Sequence, residues 1–174
     1  TVQTLMLPML RQVLGFTDLN ATDGLSRQAA SQNTYNIGHI ALGERLPLVL
    51  AACDHPLDFA SERFGETNPE TGRTRRRSPY MLAQEALNAS EQALWAIVSN
   101  GHKLRILRDN PSLTRPAYVE VDLEAIFTEE LYADFTAFWL LAHTSRFGKR
   151  LPDGAYTEPT DCPWERWRNA GQKN

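Results

Sequence analysis

The stretch ALWAIVSNGHKLRILRDN, residues 93–110, decides how this chain is read. Two β-favouring runs, Trp95–Val98 and Leu104–Leu107, flank Asn100-Gly101, a pair that tolerates the positive φ angles of a two-residue type I′ turn. The segment therefore reads as a β-hairpin.

Working outward, Ser78-Pro79 marks a helix start. The serine oxygen accepts from a free backbone N–H, and proline at the first helical position loses no hydrogen bond. The helix SPYMLAQEALNASEQ would turn Leu82, Ala83, Ala86, Leu87 and Ala89 inward. Downstream, AYVEVDLEAIF reads as a third strand in which Val119 and Val121 alternate with Tyr118, Glu120 and Asp122, and the acids would face Lys103 and Arg105 across the sheet. Thr128 is then expected to cap a long helix with an acidic first turn, Glu129-Glu130, and a buried stripe of Leu131, Phe135, Phe138, Trp139 and Ala142 ending at Gly148.

Upstream, Val2, Leu5, Met6, Met9, Leu10, Val13 and Leu14 recur at helical spacing, with Pro8 expected to end or kink the first turns and Gly15 to cap the end. Residues 17–34 are polar and read as loop, with a short helix around Leu25–Ala30. TYNIGHIAL and LPLVLAAC suit a hairpin or two neighbouring strands about Gly43-Glu44-Arg45. Residues 54–77 read as exposed loop, and residues 149–161 as a polar linker before a short segment that begins at Trp164.

The chain has 174 residues, 42% hydrophobic and 22% charged, as in ordinary globular domains. A formal charge of −3 excludes coating of nucleic acid by bulk electrostatics, so any DNA contact must come from a local patch. Cys53 and Cys162 lie far apart, and there is no signal peptide or long apolar run, so a reduced, cytoplasmic setting without a membrane is expected. The chain begins at Thr1 and stops in a polar segment after a tryptophan-rich stretch, which suggests a piece of a longer protein.

Arg73, Arg75, Arg76 and Arg77 form the dense basic cluster, immediately before a helix N-terminus. Arginine forks and helix N-termini both bind phosphate oxygens, so these four are the candidate DNA contacts; the competing reading is a solvated loop. His39, His55, His102 and His143 never reach metal-site spacing, so no metal ligand is assigned. No catalytic residue is assigned either: there is no Gly-x-Ser-x-Gly and no phosphate-binding glycine loop. Asn68-Pro69-Glu70 lacks the second proline and aromatic residue that an Asn-Pro-Pro-aromatic box uses to hold a flipped adenine, and reads as a loop turn. Trp164, Trp167, Phe135, Phe138 and Trp139 read as packing or docking anchors rather than base-stacking platforms.

The block from Ser78 to Gly148, with LMLPMLRQVLGF before it and DCPWERWRNAG after it, resembles the N-terminal region of large type IIG-like and phage-defence (BREX- or DISARM-type) adenine-specific DNA methyltransferases of restriction–modification systems. The resemblance covers nearly the whole chain. It implies an α/β (α+β) fold, a small mixed sheet flanked by helices, with a PD-(D/E)xK nuclease-like core over residues 1–148 and a linker with the start of a connecting helix over 149–174. Active nucleases of that type hold a divalent metal with a carboxylate and a Glu-x-Lys. Here Gly101, Phe147 and Gly171 stand two positions before the three lysines, and LPLVLAAC supplies no acid, so the core is expected to be degenerate. Asp54, Asp58 and Glu62 remain as carboxylates for an altered metal site.

The resemblance implies a DNA-engaging or subunit-docking domain, with a helicase or another defence subunit as a further partner. S-adenosylmethionine would be the cofactor of the parent protein, with no cofactor in this chain. The alternatives are an active restriction endonuclease domain and a purely protein–protein interaction module.

Overall fold

The computed structural model describes residues 2–22, 25–26, 34–110 and 116–172. Among them the strands are β1 (Asn20–Ala21), β2 (Leu25–Ser26), β3 (Thr34–Tyr35), β4 (His39–Ala41), β5 (Leu46–Leu50), β6 (Ser61–Thr67), β7 (Thr74–Arg77), β8 (Trp95–Ser99), β9 (Lys103–Arg108) and β10 (Tyr118–Asp122). The helices are α1 (Pro79–Asn88), α2 (Leu123–Thr128), α3 (Tyr132–Ala142) and α4 (Pro163–Gly171), preceded by two wide helical turns over Val2–Met6 and Met9–Val13.

One sheet has the order β1-β4-β5-β8-β9-β10, and a smaller one the order β2-β3-β6-β7. In the larger sheet β5 and β8 run parallel while the other pairs are antiparallel, so the expected mixed sheet flanked by helices is present. The parallel pair needs a crossover, and α1 supplies it. Alternation along the central strands sends side chains to two cores. Leu46, Leu48, Leu50, Trp95, Ile97, Leu104 and Ile106 pack with the N-terminal turns, α2 and α3 on one face. Val49, Ala51, Ala96, Val98 and Leu107 pack with Leu82, Ala83, Ala86 and Leu87 of α1 on the other. The result is an α/β/α sandwich.

The β8–β9 hairpin forms, with a register different from the expected type I′ turn. Ser99 pairs with Leu104 and Val98 with Arg105, which centres the turn on Gly101-His102. Gly101 has φ +88° whereas Asn100 does not have positive φ, the pattern of a type II′ turn. Asn100 instead accepts from the His102 and Lys103 N–H groups through Oδ1 and donates from Nδ2 to the His55 carbonyl. Its side chain ties the turn to the loop after β5, a use that the dipeptide rule does not capture.

Four further segments differ from expectation. Residues 61–77 form a hairpin, β6–β7, where a loop was read. The run that looked like one strand through Phe127 is divided at Asp122, whose side chain caps α2 by accepting from Ala125 N–H. Thr128 is therefore the end of a helix rather than a cap: its hydroxyl donates to the Glu124 carbonyl, and Glu130 turns the chain at φ +52° into α3. On α3 only Phe138 and Ala142 are fully buried, with Leu131, Phe135 and Trp139 partly so. At the N-terminus Pro8 stays helical, and the turns widen around it, relieving the clash that its ring would make in a regular α-helix. Leu7 is buried there while Leu5 and Val13 are exposed.

The segment expected to be a linker is packed on the main body. Tyr156 donates its hydroxyl to Asp18 at 2.7 Å, Arg45 donates to the carbonyls of Tyr156 and Thr157, and Cys162 is fully buried. Of the helix expected around Leu25–Ala30, Leu25–Ser26 form strand β2 instead, and residues 27–30 lie outside the described residues.

Candidate nucleic-acid interface

The β6–β7 hairpin carries Arg63, Arg73, Arg75, Arg76 and Arg77 against Glu62, Glu66 and Glu70. Its turn is held by Asn68, whose Oδ1 accepts from the N–H groups of Glu70 and Thr71 and whose own N–H reaches the Arg73 carbonyl. Asn68-Pro69-Glu70 thus builds a turn, as read from the sequence. Gly65 sits where a Cβ would meet Thr74 Cγ2 at 2.1 Å, so a side chain there would push the two strands apart. The register shifts between Ser61 and Glu66, and the bulge leaves Phe64 as the residue of this arm that enters the core.

The four arginines singled out in the sequence do not act as one patch. Arg77 has a side chain only 8% exposed, and its guanidinium donates to Glu85 at 2.5 Å and to Glu66 at 3.2 Å. It anchors the hairpin to α1 and is not a surface contact, a correction that follows from its place at the base of the arm, opposite Ser61 and beside Glu85 of α1. Arg76 is exposed and pairs with exposed Glu62 at 2.6 Å, a pairing worth little in water and open to exchange. Arg73 and Arg75 are exposed and make no ion pair among the described residues. They line an open groove of about 380 Å³ with Thr74, Asn68 and Glu66. Arg63, which the sequence reading passed over, is exposed on the neighbouring strand with its guanidinium 5.6 Å from the Phe64 ring centre.

The N-terminus of α1 is not available to phosphate. Ser78 Oγ accepts from Met81 N–H, the Leu57 carbonyl accepts from Tyr80 N–H, and both Ser78 and Pro79 are buried. The expected second source of anion binding is closed by the cap that announced the helix.

Of the three carboxylates left for an altered metal site, Asp58 and Glu62 are bonded to arginines. Asp58 takes a two-pronged bond from Arg105, at 2.7 and 2.8 Å, and Arg105 also donates to Glu120 at 2.6 Å. Its guanidinium lies 4.3 Å from the Tyr118 ring centre, over the ring face. Hydrogen bonding from Arg105 lowers the pKa of Asp58. At Glu120 burial raises the pKa, but the bonds from Arg105 and Lys103 outweigh it and the net shift is downward. Glu62 is held by Arg76. Among the described residues no group of three or more His, Cys, Asp or Glu converges on a point where an ion could sit. The expected cross-strand pairing of Glu120 with Arg105 and Lys103 is present, while Asp122, opposite Lys103, is used as the α2 cap.

Both cysteines are free thiols, and no helix among the described residues is long and apolar enough to cross a membrane. A scan against protein-family models and searches of curated proteins and of solved structures return no match.

Proposed function

We propose that this chain is a DNA-engaging domain and that the β6–β7 hairpin is its contact, with Arg63, Arg73, Arg75 and Arg76 meeting phosphate oxygens. The observation that carries the reading is the hairpin itself. Its strand β7 is the edge of the β2-β3-β6-β7 sheet among the described residues, and the hairpin presents Arg63 and Arg75, which make no ion pair among the described residues, while its base is fixed to the core by the buried Arg77 pairs. Contacts of this kind position a protein on the duplex and carry no sequence information by themselves.

In this proposal the domain is the front part of an adenine-specific DNA methyltransferase of the phage-defence type that the sequence resembles. Base flipping and methyl transfer from S-adenosylmethionine belong to a part of that protein beyond these residues. The hairpin, α1 and the third strand that carry the resemblance support it, and so does the position of the arginine arm on the same body. The two-pronged bond that Asp58 accepts from Arg105 weighs against the endonuclease alternative at that side chain.

Titration of the isotopically labelled chain with a short DNA duplex tests the reading by amide shifts. The expected outcome is a set of shifts confined to residues 61–77 and the adjoining α1 start. Shifts centred on α2 and α3, or none at all at low salt, would overturn it.

A further inference from the structure

The surface around the α2–α3 junction has the opposite character to the arginine arm. Helix α3, YADFTAFWLLA, is apolar nearly all round, a composition that suits a helix covered on every side. Yet Tyr132 is 81% exposed, and Phe127 on α2 and Leu140 on α3 are exposed to about half. Between the helices lies a groove of about 240 Å³ with Ile126, Phe127, Leu131 and Phe135 as its apolar lining. Its rim is acidic. Glu129, Glu130 and Asp134 are exposed and make no ion pair among the described residues, and no lysine or arginine occurs between Pro116 and Ser145.

We infer that this groove is a docking site for an amphipathic helix with basic flanks, supplied by a partner protein. The apolar floor accepts side chains at helical spacing, the mode in which a helix lays one face into a groove. The unpaired carboxylates select positive charge beside that face and disfavour both DNA and acidic helices. Exposed aromatic rings at the centre supply the anchors on which such contacts concentrate their binding energy. This inference does not depend on the DNA reading, because the two surfaces share no residue.

A fluorescent model peptide of about four helical turns tests it, with leucines at helical spacing on one face and lysines flanking them. The intact chain is titrated with this peptide, with a glutamate-flanked version and with a version whose leucines are scrambled. The lysine-flanked peptide should bind at least about tenfold more tightly than either control. Tyr132→Glu, at a side chain that supports no core packing, should reduce that binding about tenfold or more with the unfolding transition unchanged. Glu129→Lys combined with Asp134→Lys should reverse the preference between lysine and glutamate flanks. Equal affinity for the three peptides, or binding indifferent to Tyr132→Glu and to the charge swap, would overturn the inference. Sedimentation of the chain alone is the remaining arm. A dimer abolished by Tyr132→Glu would assign the face to a second copy and overturn the choice of occupant.

Discussion

The indole N–H of Trp95 donates to Glu165 Oε1 at 3.0 Å, joining the central strand β8 to helix α4 across 70 positions of sequence at a site where Glu165 is only 4% exposed. Arg108 closes the arrangement with bonds of 2.7 and 3.2 Å to the same carboxylate, and the Trp164 ring stacks on Trp95 at 5.1 Å. A buried carboxylate is tolerated because these partners satisfy it, and the cost of removing one depends on what stays behind. Arg108→Met leaves the charge of Glu165 buried and should cost about 3 kcal/mol. Glu165→Gln keeps an acceptor for Trp95 and should cost about 1–2 kcal/mol. Urea unfolding followed by tryptophan fluorescence measures both, and the reverse order would contradict this assignment of partners.

Arg75 and Arg77 are two positions apart and should behave as different kinds of residue. Arg77→Ala removes the cation from Glu85 in a mostly buried place and should lower stability by about 3 kcal/mol. Arg75→Ala, at an exposed position nearer the hairpin tip, should lie within about 0.5 kcal/mol of wild type. Thermal unfolding of the two variants side by side provides the check.

Acid should loosen the contact between β9, β10 and the loop after β5. Asp58 and Glu120 have pKa values lowered in the folded chain by their bonds to Arg105 and Lys103. The stability they add is therefore complete above their ordinary carboxylate range, near pH 4, and disappears as the pH falls through their lowered folded values. Asp58→Asn should flatten the fall in melting temperature below about pH 4 and leave its slope between about pH 6 and 8 unchanged. A wild-type curve with no acid limb would contradict the pairing.

The two thiols should differ in reactivity. Cys162 is fully buried and its pKa is raised by that burial, which disfavours the reactive thiolate, whereas Cys53 is partly exposed. A chromogenic disulfide reagent should titrate one thiol in the native chain and the second only in denaturant. Two fast thiols under native conditions would mean that α4 does not stay docked.

How much of this was legible in the sequence depended on whether a segment's apolar residues alternate. The strands β8 and β9 alternate between two cores, so both faces are apolar and the hairpin was plain; α1 was plain because Ser78-Pro79 starts it and leucine and alanine repeat along one face. The β6–β7 hairpin was missed because only Phe64 enters the core and the remainder, rich in Arg, Glu and Gly, has the composition of a loop. The break between β10 and α2 was hidden by LEAIFT, whose residues suit either structure. At Thr128, a helix end followed by two glutamates imitates a helix start. The site was half legible: clustered arginine pointed to the arm, but nothing local distinguishes Arg77 from Arg75. Only the partners Glu66 and Glu85, brought from 11 and 8 residues away, make one of them internal.

The salt dependence of DNA binding tests the central claim most directly. Affinity for a labelled duplex is measured from about 50 to 200 mM salt for wild type and for the triple variant Arg73→Ala, Arg75→Ala, Arg76→Ala. Each phosphate contact contributes about 0.9 to the slope of log affinity against log salt, so the variant's slope should be shallower by about 2 to 3. Parallel lines for the two proteins, or no measurable binding by wild type at the lowest salt, would contradict the assignment of this hairpin to DNA.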